Sequence, residues 1–373
     1  MPTSSSNPPP SSTDLDKLQE LARSARKETP EHTAEERRAK RGPSPRRLFI
    51  WILEAFVLIT VLQTFVITPW MAERRAKLKR APVAEALPPA LEPLGENAME
   101  LTGLTEVVPA YPPKLEGLDM GSDSAFQAQI AYARENGLPV EVENSAGIRF
   151  RLIPPGTFVM GSPEHEKHRW EGEKQHIATI KTPFYMSKYE VTQAQWERVM
   201  ETNPSYFQGK NRPVEEITWH DCMRFALKLA EVEGLPKGTY RLPGEAEWEY
   251  ACRAGTEGPF CFGDDPNRLK NFAVFINNSD GRSQAVGKYR PNAFGLYGMH
   301  GNLWEWCFDT YKNYPGVDIP GPTDGQWRVV RGGNWRDLPK DCRSAERSRL
   351  PPDSLGNLLG LRLVRTIPEM LGH

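Results

Sequence analysis

The sequence predicts an α+β domain of low regular secondary structure, preceded by one transmembrane helix. Three observations carry this. The 373-residue chain holds one apolar run of bilayer length near its start. Beyond it the texture changes to dense aromatics with frequent glycine, with no fixed-period repeat. Within that region a few helical patterns alternate with short β patterns and long loops.

Residues 1–47 are Ser/Pro-rich, then charged, with almost no large apolar residue. Such a segment cannot bury enough surface to offset ordering, so it reads as disordered. Residues 48–70, LFIWILEAFVLITVLQTFVITPW, match a membrane-spanning helix, with Trp51 and Trp70 near the two interfaces. Glu54 lies close enough to one end to reach the headgroups. Basic residues flank the run on both sides, six before (Arg37 to Arg47) and five after (Arg74 to Arg80). The positive-inside rule therefore favours a cytoplasmic N-terminus and an extracytoplasmic globular domain by a narrow margin.

Residues 71–137 form a Pro-rich linker with one short helix, SDSAFQAQIAYAREN, started by Ser/Asp and stopped at Gly137. The globular domain is placed at 138–366, followed by a short tail, 367–373. IRFRLIPPGTFVMGS alternates and turns at Pro154-Pro155-Gly156, the pattern of a β-hairpin. TQAQWERVMET is a helix with Thr192 as N-cap. TWHDCMRFALKLAEVEG is a second, with Cys222, Phe225, Ala226 and Leu229 on its apolar face and Gly234 at its end. GEAEWEYACRAG is a third, ending at Gly255.

Composition excludes several classes. A net charge of −1 gives no basic field for nucleic acid. The five cysteines form no CxxC pair, which argues against zinc, and their odd number leaves at least one free thiol. Cys252 and Cys307 are candidate disulfide partners for Cys342. No GxSxG, phosphate loop or HExxH is present. His165, His168 and His176 fall in a charged loop pattern rather than at metal-ligand spacing.

Six motifs occur in one order: GTFVMGS (156–162), YEVTQAQW (189–196), RPVEEITWHDC (212–222), YRLPGEAEWEYACRAG (240–255), NAFGLYGMHGNLWEWC (292–307) and RVVRGGNW…RSAERS…GLR. Together they resemble the sulfatase-modifying-factor domain, the family of the formylglycine-generating enzyme. The resemblance implies an irregular fold related to C-type lectins. It also implies a founding activity: oxidation of a sulfatase cysteine to Cα-formylglycine with O2 and a copper(I) ion on two cysteines. Soft thiolates suit that ion. Many bacterial members lack the cysteine pair.

Carried over by position, the family's reaction loop reads Asn334, Asp337 and Cys342 here, where copper-binding members have a serine and two cysteines. Counted backward from RSAERS, Cys342 moves off the ligand position. One carboxylate and one thiolate make a poor Cu⁺ site. The expected function is therefore a membrane-anchored, non-oxidising member that binds a peptide or envelope partner. The alternative is a copper-dependent oxidase acting on a sulfatase cysteine. The resemblance also implies structural Ca²⁺ sites. One falls on Gly301, Leu303 and Glu305, with Gly298 where a side-chain oxygen would stand. The other falls on Asn271, Phe272, Asp280 and Arg282. Trp335 and Arg331 are candidate lining of a binding cleft. Arg331, Arg343, Arg347 and Arg362 are expected to pair with Glu245, Glu247 and Glu249, because buried charge must be compensated.

Overall fold

The computed structural model describes residues 103–107, 120–316 and 326–367. The expected transmembrane run and disordered segment lie outside them, as does most of the linker. Among the described residues no helix is long and apolar enough to cross a membrane. In chain order the elements are β1 (Leu104–Glu106), α1 (Met120–Glu135), β2 (Glu141–Asn144), β3 (Arg149–Ile153), β4 (Gly156–Met160), β5 (His176–Ile180), β6 (Phe184–Ser187), α2 (Gln193–Met200), α3 (Trp219–Val232), β7 (Tyr240–Arg241), α4 (Glu245–Arg253), β8 (Trp304–Thr310), β9 (Arg328–Arg331), β10 (Arg347–Leu350), β11 (Leu359–Gly360) and β12 (Val364–Thr366). Short 3₁₀ turns cover Glu171–Glu173, Pro266–Asn271 and Pro339–Cys342.

The largest sheet has the order β1-β2-β3-β6-β12-β7, so the last strand inserts between two earlier ones. A second sheet runs β10-β9-β8-β11, with β11 parallel to β8. β4 and β5 form a separate ribbon. The α+β expectation holds, but the hairpin across Pro154-Pro155 does not. β3 pairs with β2 and β6, whereas β4 pairs only with β5. Two consecutive prolines remove two backbone donors and stiffen the connection, so the chain changes sheet there.

The helices form where their caps satisfy the first turn. Thr192 Oγ1 accepts from the Gln195 N–H at 3.3 Å, and Gln195 Oε1 accepts from the Thr192 N–H at 2.9 Å. Thr218 and Asp221 repeat the box at the start of α3. Cys222, Phe225, Ala226 and Leu229 are all buried, as the spacing predicts, against a core that includes Phe150, Tyr185, Tyr240 and Trp306. A second apolar cluster gathers Trp248, Phe294, Ile153 and Phe184.

Buried arginines join these layers. Arg347 pairs with Glu245, Arg331 with Glu249, Arg362 with Glu305, and Arg343 with Glu166 and Glu173. The expected compensation is therefore present, with different partners in part. Glu247 goes instead to Arg241. Among the five cysteines no disulfide forms; all are free and buried.

Candidate functional site

The loop after the twin glycines folds into a hydrogen-bonded knot. Gly332 and Gly333 adopt φ of 100° and 75°. A Cβ on Gly333 would stand 2.8 Å from Cys342 Sγ and 2.7 Å from the Asp341 carbonyl oxygen, so only glycine fits. Asp337 Oδ2 accepts from the Asn334 backbone N–H at 3.1 Å and from Asn334 Nδ2 at 2.6 Å. Asn334 Oδ1 in turn accepts from the Arg336 N–H at 2.7 Å. Trp304 also hydrogen-bonds the Asp337 side chain. Burial, with Asp341 adding like charge, pushes the Asp337 carboxyl up to about 6. The Asn and Asp thus serve each other as turn chemistry.

Cys342 ends the Pro339–Cys342 turn and lies inside an aromatic cluster with Phe260, Phe262, Phe272, Phe275 and Cys261. Burial first, then Asp337 and Asp341, pushes its thiol well above the usual range. A copper(I) ligand needs the opposite: an electropositive, accessible thiolate. Cys261 shares the cluster and is likewise pushed up, by burial and by Cys252. Cys252 lies at 3.7 Å from the Met299 carbonyl oxygen and 3.8 Å from His300 Nε2. These residues do not fit copper, and no redox step follows from them.

The cleft assignments change as well. Arg331 is fully buried under Trp248, with its guanidinium 5.3 Å from the ring centroid, because Glu249 draws it inward. It lines no open cleft. Trp335 is only 9% exposed; its Nε1 donates to the Asn357 carbonyl at 2.9 Å and its ring meets Phe207 edge-on.

Two residues that sequence reasoning did not single out hold this region together. His300 is buried; its Nε2 must accept from the Cys261 N–H at 3.1 Å, which leaves Nδ1 to donate to the Cys342 carbonyl at 2.9 Å. Burial lowers it to about 4, so the ring is neutral and structural. Glu190, in the YEVTQ motif, is the second. Its Oε2 accepts from Asn302 Nδ2 at 3.0 Å, while its buried Oε1 has no hydrogen-bond partner among the described residues.

Glu305 is saturated: Trp248 Nε1 donates to it at 2.7 Å and Arg362 at 2.8 Å. Glu190 stands where the side chain absent from Gly298 would be, with Oε2 2.9 Å from a Cβ built there. Burial, then Glu305, pushes Glu190 up to about 8. At neutral pH Glu190 therefore holds its proton, beside a small, partly open pocket lined by Val274, Lys288, Tyr289, Tyr297 and Asn302. A hard cation there would have to displace that proton, and the spare oxygen would be on Glu190 rather than on Glu305. For the second implied set, Asn271 and Asp280 are exposed, Phe272 is buried against Phe262, and the Asn271 carbonyl accepts from the Arg290 N–H at 2.9 Å. Asp280 (φ 54°) and Arg282 lie on the turn after Ser279.

Residues 137–367 match the model of the sulfatase-modifying factor enzyme 1-like domain. The chain belongs to this family. The chain is 31% identical, in an alignment of 316 residues, to the formylglycine-generating enzyme of Mus musculus, covering 65% of this chain and 82% of that protein. It is 29% identical over 230 residues to a protein named chaperone protein LppX from Paenibacillus barcinonensis, covering 49% and 80%. Among solved structures, PvdO from Pseudomonas aeruginosa superposes with a TM-score of 0.53 at 30% identity, covering 60% of this chain and 95% of that one. This family's irregular architecture accounts for the small sheets and long ordered loops.

Proposed function

We propose that the chain is a non-oxidising, membrane-anchored member of the sulfatase-modifying-factor family whose globular domain binds a peptide or protein partner outside the cytoplasm. The observation that carries this reading is the filled reaction loop. Cys342 is enclosed by phenylalanines, and Asn334 and Asp337 are hydrogen-bonded to each other. The similarity to a protein named as a chaperone supports a binding role. The apolar run at 48–70 supplies the anchor. Burial of the five free thiols would protect them from oxidation outside the cytoplasm.

A calcium ion would have a structural role, held by Glu190 with neighbouring backbone oxygens around Gly301 and Leu303. It would displace the proton that burial holds on the Glu190 carboxyl. Calcium is expected to raise the melting temperature of the wild type and to leave Glu190→Gln unchanged; an equal effect on both would remove Glu190 from the site.

A turnover assay tests the functional reading. The full chain in detergent is incubated with Cu⁺, O2, a small thiol as reductant and a cysteine-containing sulfatase peptide, and aldehyde is read by mass spectrometry. No conversion is expected; multiple turnovers would establish the oxidase instead.

A further inference from the structure

Three segments meet around Trp335. Its N–H donates to the Asn302 carbonyl at 2.9 Å, and Asn302 Oδ1 accepts from the Gln284 N–H at 2.8 Å. The Ile276 N–H donates to the Asp337 carbonyl at 3.1 Å, and the Val286 N–H to the Asn211 carbonyl at 2.9 Å. Phe207 packs on the Trp335 ring and carries Tyr206 edge-on at its outer side. The loops at 205–212, 276–286 and 334–338 therefore share one rim.

That rim is apolar and basic together. Tyr206, Ile276 and Leu338 are 58%, 46% and 47% exposed, a departure from the usual fate of such side chains. Arg282 and Arg336 are exposed. Arg212 is half-buried, and its Nη1 is buried with no hydrogen-bond partner among the described residues. Burial, then the nearby Arg282 charge, lowers the Arg212 guanidinium. Two guanidinium groups held close enough to oppose each other create a demand for an anion. The buried Glu215 opposes Arg212 from beneath, and the acids nearest the exposed Arg282 and Arg336 are engaged elsewhere. Asp337 faces Asn334, and Asp341 pairs with Lys340 at 3.1 Å. Asp280 is the exposed acid on the same loop.

We infer that this rim docks an acidic segment of a partner protein that carries an apolar or aromatic side chain. Tyr206, Ile276 and Leu338 receive the apolar group, and Arg212, Arg282 and Arg336 receive the carboxylates. The inference rests on the partner-binding reading above and gives it a surface and a ligand chemistry. It differs from recognition of a basic or neutral peptide, which this charge pattern opposes.

The test is selection of a random displayed peptide library on the full chain in detergent micelles. Enriched peptides are expected to combine Asp or Glu with a Phe, Trp or Leu. One enriched peptide, labelled and titrated, should bind about tenfold more weakly to Arg212→Glu/Arg282→Glu and to Ile276→Asp/Leu338→Asp. Ile177→Asp, on the exposed ribbon, should bind as wild type, and a preserved melting temperature confirms that each variant folds. Absence of enrichment, or enriched peptides without acidic residues, overturns the inference. Binding that survives both rim variants also overturns it, while leaving partner binding elsewhere intact. Turnover of the sulfatase peptide would instead remove the functional reading beneath it.

Discussion

A thiol surrounded by Phe260, Phe262, Phe272 and Phe275 meets no solvent that could stabilise its anion. Cys342 should therefore behave as a small apolar core residue. All five cysteines are expected to resist iodoacetamide in the native state at pH 8 and to react on unfolding; mass spectrometry reads both. Cys342→Ser places a hydroxyl in that aromatic surrounding and should cost about 1–3 kcal/mol in a denaturant titration. Glu346 gives a pH prediction. Burial, then Glu173, pushes its carboxyl up to about 7, so the folded state binds the proton more tightly than the unfolded chain. Its contribution is fully present below the ordinary carboxylate range and is lost as pH rises through about 7. Melting temperature should fall between pH 5 and 8 in the wild type, and Glu346→Gln should flatten that slope. An unchanged slope would place the titration elsewhere.

At the scale of elements, local chemistry decided what could be read in advance. The cap at Thr192 was legible because a Thr followed three residues later by Gln satisfies the first turn without tertiary help, and the structure adds the same box at Thr218 and Asp221. Thr218→Ala should destabilise by about 1 kcal/mol, read as a shift of the denaturation midpoint at constant m. The ribbon was not legible. Alternation marks β3 and β4 as strands but says nothing of their partners, which lie far along the chain. The reaction loop was legible in identity and opaque in geometry. The positions of Asn334, Asp337 and Cys342 follow from motif spacing; that Asn and Asp bond each other, and that the thiol turns inward, depends on His300 and on residues around 260–275.

For the whole molecule, six ordered motifs carried the family and the fold, because each is a piece of shared core. They did not carry the charge network. Arg331 reads from sequence as a cleft residue, yet Glu249 and Trp248 enclose it completely. Glu190 looked like one motif residue among many; only folding brings it beside Glu305 and Gly298 and leaves an oxygen over the cavity. The scaffold thus packs its core with Asp337 where the family's copper-binding members have a cysteine. The most direct measurement is a copper(I) titration of the full chain against a competing chelator, followed in parallel with Cys342→Ser. The expected result is no stoichiometric high-affinity site and no difference between the two proteins. Tight one-to-one binding that disappears in the variant would contradict it.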